Sequence, residues 1–93
     1  MGSTPEERKG CLLRISLKFF SNYRDLIGVR EMTLTLQDGS TLQNLWEALV
    51  GRYPNLTAHT KTAVMAVNRD FAKQTTRLKD GDEVAIMPPI GGG

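Results

Sequence analysis

Lys79-Asp80-Gly81-Asp82-Glu83-Val84-Ala85-Ile86-Met87-Pro88-Pro89-Ile90-Gly91-Gly92-Gly93 closes the chain, and the rest is read outward from it. Lys79-Asp80-Gly81-Asp82 is a turn signal, and Val84 to Met87 form an apolar strand that runs straight on. Pro88 and Pro89 fix φ near −65° and donate nothing to a ladder, so the strand must stop there. The pair favours a stiff polyproline-type exit. Three glycines follow. A stretch without side chains can enter a slot too narrow for any other residue, and it would carry the α-carboxylate of Gly93 to the bottom of that slot. A carboxylate is a poor electrophile and must be activated before acyl transfer. The plain alternative for such a tail is a flexible end.

Upstream, Leu13, Ile15, Leu17 and Phe19 alternate with Arg14, Ser16, Lys18 and Phe20, the period of a half-buried strand. Ser21-Asn22 is expected to cap a short helical turn through Tyr23, Leu26 and Ile27, with Gly28 as its C′ glycine. Met32, Leu34 and Leu36 mark a second strand, expected to pair antiparallel with the first. Gln37-Asp38-Gly39 is a turn. Ser40 and Gln43 have capping-box spacing, and Leu42, Leu45, Trp46, Leu49 and Tyr53 predict one amphipathic helix over 41–53, stopped by Pro54. Trp46 reads as a core anchor. Residues 55–62 read as a polar connection, 63–67 as a buried strand, and 71–74 as a short edge strand.

The order is β-β-α-β-(β)-β. One helix must cover one face of a mixed sheet, because neither element buries its apolar side alone. The last strand is expected to lie parallel to the first in the sheet centre. This is an α+β, β-grasp (ubiquitin-like) layout: a mixed four- to five-stranded sheet with one main helix on one face. The expected organisation is a disordered extension at 1–10, the domain at 11–88, and a flexible tail at 89–93.

The 93 residues make one small domain, with 12 basic and 10 acidic residues, a formal charge of +2 and no basic run. Nucleic-acid binding is therefore not indicated. No apolar stretch approaches a membrane span. The single cysteine, Cys11, excludes a disulfide framework within the chain and fits a cytoplasmic setting. Cys11 has no neighbouring His or cationic cluster to activate it and reads as an inert thiol. His59 stands alone in a polar loop, which supports neither a metal site nor general-base work. No paired carboxylates, Ser-His pair or phosphate-binding glycine loop is present.

The chain resembles the MoaD-type sulfur carriers, the small subunit of molybdopterin synthase, within the MoaD/ThiS ubiquitin-like family. The resemblance runs from about Leu13 to Gly93. It rests on Lys18-Phe19-Phe20, Tyr23-Arg24-Asp25-Leu26-Ile27-Gly28, Thr41-Leu42, Ala66-Val67-Asn68, and above all on Leu78 to Gly93. Gly91 departs from the Ala or Ser often found there, and the N-terminal extension is not required by the family. The helix, the connection after it and the Pro-Pro pair look more MoaD-like than ThiS-like.

The resemblance implies a carrier that is acted upon, with no cofactor of its own. A ubiquitin-activating-type adenylyltransferase (MoaB/ThiF/MoeB-like class) would spend ATP to adenylate Gly93. A sulfur donor would displace AMP and leave a covalent thiocarboxylate on Gly93. A large MoaE-like synthase subunit would then receive the tail, and two loaded carriers would supply the two dithiolene sulfurs of molybdopterin. Gly92 must be small to thread, and Gly91 spaces the tail. Ile90, Pro89 and Pro88 stiffen and dock it, the alternative for the prolines being only to end the strand. Phe71 and Met87 are candidates for partner contact, with a place in the core as the competing reading. Three alternatives stay open: a carrier for thiazole, cysteine or tRNA thiolation, a modifier of the small archaeal type that forms isopeptides, and a plain interaction module.

Overall fold

Strand β1 (Leu12–Phe19) turns Leu13, Ile15, Leu17 and Phe19 inward and Leu12, Arg14 and Ser16 outward, as its period of two requires. The fold containing it is a computed structural model that describes residues 12–89. Helix α1 (Asn22–Ile27) follows β1, then β2 (Glu31–Gln37), α2 (Leu42–Arg52), a 3₁₀ helix (Pro54–His59), β3 (Val64–Val67), β4 (Asp70–Phe71) and β5 (Glu83–Met87). The sheet order is β2-β1-β5-β3-β4. β1 and β2 are antiparallel, with Ile15 opposite Leu34 and Leu17 opposite Met32. β5 runs parallel to β1, Leu17 beside Val84 and Phe19 beside Ile86, and antiparallel to β3, Met65 beside Ile86.

Each of these pairs places apolar side chains on one face, and α2 covers that face with Leu42, Leu45, Trp46 and Leu49. Full burial of one such aliphatic side chain contributes about 1.5–3 kcal/mol. Trp46 is 4% exposed, as a core anchor should be. Its indole N–H donates to Thr60 Oγ1 at 3.0 Å, and its ring meets Tyr23 edge-on at 6.5 Å. Burial pushes the Tyr23 hydroxyl above its ordinary pKa.

Several local expectations shift. α2 is capped by Thr41 with Asn44, one residue later than Ser40 with Gln43. Thr41 N–H donates to Asn44 Oδ1 at 2.9 Å, and Asn44 N–H donates to Thr41 Oγ1 at 3.3 Å. Ser40 is occupied in the preceding turn, where its hydroxyl donates to the Gln37 carbonyl at 2.7 Å. The next N–H groups of α2, from Leu42 and Gln43, donate to the carbonyls of Thr76 and Gln74 at 3.0 Å each. These bonds satisfy first-turn donors that a helix leaves open.

Ser21 precedes α1, but at φ +56° its side chain makes no cap bond. Gly28 does end α1, at φ +96°, with its N–H on the Arg24 carbonyl at 2.7 Å. The polar connection contains the 3₁₀ helix, begun by Pro54, and drops Leu56 into the core at 1% exposure. The edge strand lies at Asp70–Phe71, because Asn68 and Arg69, both at positive φ, close a two-residue hairpin after Val67. The expected extension at 1–10, Cys11 and the residues from Ile90 to Gly93 lie outside the described residues.

Candidate functional site

The site begins where β5 ends. β5 has a neighbour on each side, β1 and β3, so its backbone is held by two ladders. The pairing with β1 continues past the strand, Phe20 N–H donating to the Ile86 carbonyl at 3.1 Å. Met87 is the last ladder residue, opposite Val64. Pro88 is half-buried and Pro89 exposed, both beyond the strand, which places the two prolines at the rim of the sheet.

The start of β5 is fixed by a small polar latch that the sequence reading missed. Asp82, 9% exposed, accepts from Asn68 Nδ2 at 2.9 Å and from Lys79 N–H at 2.8 Å. Asn68 Oδ1 accepts from Glu83 N–H at 3.0 Å, and Asn68 N–H donates to the Glu83 carbonyl at 2.7 Å. Hydrogen bonds to a charged acceptor are the stronger kind. The available signal was an Asn ending one strand and an Asp-Gly-Asp turn opening another, two segments that only the fold brings together.

Among the described residues, no helix is seen to pack on the sheet face away from α2. β5 places Ala85 and Met87 there beside Ala66 and Val64 of β3, and Phe71 of β4 stands opposite Ala66. Phe71 is 69% exposed, so the competing core placement does not hold for it, while Met87 is half-buried on the same face. A two-residue edge strand with no helix over it among the described residues leaves such a ring exposed. Polar groups flank this patch. Lys18 Nζ lies 2.7 Å from Glu83 Oε2, and this hydrogen-bonded pairing holds the Glu83 carboxyl below its ordinary pKa and the Lys18 ammonium above its own.

His59 stands half-buried with its ring edge-on to Tyr23 at 5.5 Å, a packing role at the core rim. Among the described residues, no group of three or more His, Cys, Asp and Glu is arranged to hold a metal ion. No helix among them is long and apolar enough to cross a membrane. Every buried side-chain nitrogen and oxygen described here has a hydrogen-bond partner.

The sequence profile of the ThiS family matches residues 17–93. The molybdopterin synthase sulfur carrier subunit of Chlamydomonas reinhardtii is 37% identical over 83 residues, which cover 87% of this chain and all of that relative. The small archaeal modifier protein 1 of Haloferax volcanii superposes with a TM-score of 0.76 at 22% identity, over 84% of this chain and 99% of the other. A chain of the complex of subunits 1 and 2 of the molybdopterin-converting factor from Helicobacter pylori superposes with a TM-score of 0.60 at 23% identity, over 87% of this chain and 100% of the other. These two structural likenesses speak for the ubiquitin-like fold.

Proposed function

This chain belongs to the ThiS family, and from that premise we propose that it is the sulfur-carrying small subunit of a molybdopterin synthase, acting through the carboxylate of Gly93. It is a carrier and not an enzyme on its own. The observation that carries the reading is β5: a strand laddered on both sides runs into Pro88-Pro89 and a glycine tail that the family match includes to residue 93.

The steps balance as acyl transfer. A Gly93 carboxylate oxygen attacks the α-phosphorus of ATP on an adenylyltransferase, and pyrophosphate leaves. Sulfide then adds to the acyl carbon and AMP leaves with the bonding pair, giving the thiocarboxylate. The large synthase subunit receives the loaded tail, sulfur passes to the pterin precursor, and an oxygen from water restores the carboxylate. The protein's own contribution is positional: a rigid platform, a stiff proline root and a thread without side chains. The complex of two converting-factor subunits from Helicobacter pylori supports a partner of the large-subunit kind. A curated sulfur-carrier relative matched over its whole length favours this reading over a protein modifier, whose likeness here is one of fold.

The test is intact mass after incubation with ATP, sulfide and the adenylyltransferase of the source organism. The expected result is a gain equal to exchange of one oxygen for one sulfur, located on Gly93 by fragmentation. An unchanged mass overturns the reading. We assign the sheet face that carries Phe71 to the large subunit. Phe71→Ser is expected to leave the thermal midpoint nearly unchanged, because the ring is exposed, and to weaken binding of that subunit by about tenfold or more. A titration giving the wild-type Kd would remove Phe71 from the interface.

A further inference from the structure

Beside the root of the tail, the end of β1, helix α1 and the start of β2 form an open cleft of about 220 Å³, lined by Lys18, Phe19, Phe20, Arg24, Arg30 and Glu31. Its position is set by backbone bonds. Phe19 N–H donates to the Arg30 carbonyl at 2.8 Å, which ties β1 to the segment entering β2. The neighbouring Phe20 N–H bonds to Ile86, one residue before the end of β5. The cleft and the tail root therefore share one end of the sheet. The Phe20 side chain is 46% exposed there.

The charges in the cleft are unequally committed. Lys18 is hydrogen-bonded to Glu83, and Glu31 adds a second attraction on it. Arg24 and Arg30 are exposed, and among the described residues neither side chain forms an ion pair or hydrogen bond within the chain. Asp25, also exposed, follows Arg24 on α1 and is not bridged to either arginine. Two guanidiniums unpaired among the described residues, next to an exposed aromatic ring, match carboxylates flanked by an apolar side chain, since the planar fork of Arg binds a carboxylate bidentately.

We propose that this cleft docks an acidic segment of the adenylyltransferase that activates the tail, with carboxylates on Arg24 and Arg30 and an apolar side chain against Phe20. The inference rests on the carrier reading above and adds to it the surface that recognises the enzyme. The six residues from Pro88 to Gly93 span at most about 20 Å when extended. A tail bound extended in the enzyme's slot would use most of that reach, and the arginines at its root would then serve the body of the partner rather than the nucleotide phosphates. Charge pairs at such a rim act chiefly on encounter rate and salt dependence, which suits an enzyme that must bind and release the same carrier each turnover.

The test is loading kinetics with the source organism's adenylyltransferase, ATP and sulfide, at several salt concentrations. R24E/R30E is expected to lower kcat/KM for loading by about 10- to 100-fold, through KM with kcat retained, and to flatten the fall of rate with salt. R52E/K61E changes net charge equally but at exposed residues that do not line the cleft, and is expected to stay within about twofold of wild type. Both variants alter exposed side chains, so their thermal midpoints should match the wild type. Wild-type kcat/KM and salt slope in R24E/R30E would overturn the dock while leaving the carrier reading standing, because the tail would still be loaded. An equal loss in R52E/K61E would also overturn it, by reducing the effect to net charge. Failure of the wild-type chain itself to load would overturn the carrier reading and the dock with it.

Discussion

Replacing Gly92 by alanine lowers the rate of thiocarboxylate formation by about 100-fold and leaves the thermal midpoint where it was. The added methyl sits one residue from the reacting carbon, in a thread proposed to pass through a slot shaped for backbone alone. A displacement of about 1 Å at a reacting centre is worth about 10²-fold in rate. Stability is expected to be untouched because Gly92 lies beyond Met87, where the last ladder pair of the described residues forms. Adding one residue after Gly93 is the sharper form of the experiment, since it moves the carboxylate off the reaction centre altogether, and loading is expected to vanish. The measurement is the initial rate of the oxygen-for-sulfur mass change under saturating ATP and sulfide. A Gly92→Ala rate within threefold of wild type would show that the partner's slot tolerates side chains, and the threading argument would fail.

The second large effect is on stability. Trp46→Ala is expected to destabilise the fold by about 3–5 kcal/mol, a sizeable share of the roughly 5–14 kcal/mol that a domain of this length commands. Three losses combine: the buried indole surface, the edge-on contact with Tyr23, and the hydrogen bond to Thr60. Trp46→Phe should recover much of the surface and lose the bond. Thr60→Val keeps the indole but strands its N–H, at a cost of about 1–3 kcal/mol. Urea unfolding of the three variants separates the contributions. The expected order of destabilisation places Trp46→Ala well beyond the other two. An equal loss in Trp46→Ala and Thr60→Val would mean that the hydrogen bond, and not packing, holds this corner of the core.

Elements with a strong period were legible. The alternation from Leu13 to Phe19 and the spacing from Leu42 to Leu49 each place four side chains inside, and both are buried as read. The parallel pairing of the last strand with the first also follows, because one helix between strands of this order leaves few other sheets. What escaped was decided by competition or by distance. Ser40 and Thr41 are both good capping residues, and Gln43 and Asn44 are both plausible at N3, so sequence alone does not choose. The turn at Gln37 takes Ser40 and leaves Thr41 for the helix. Leu56 is one apolar residue in a polar stretch and has no period to reveal it. Phe71 looks like core by composition, and only its place on a two-residue edge strand exposes it. The Asn68–Asp82 latch joins residues fourteen apart. Of the site, the tail root was readable and the surfaces around it were not, because a surface is made by strands that are distant in the chain.

The parallel placement of β5 beside β1 has a mechanical meaning. On the proposed reading, a force that draws the tail out of an enzyme's slot along the line of β5 would load the rungs on both flanks in shear instead of opening them one after another. A carrier threaded and withdrawn in the way proposed above would keep its fold through each such pull.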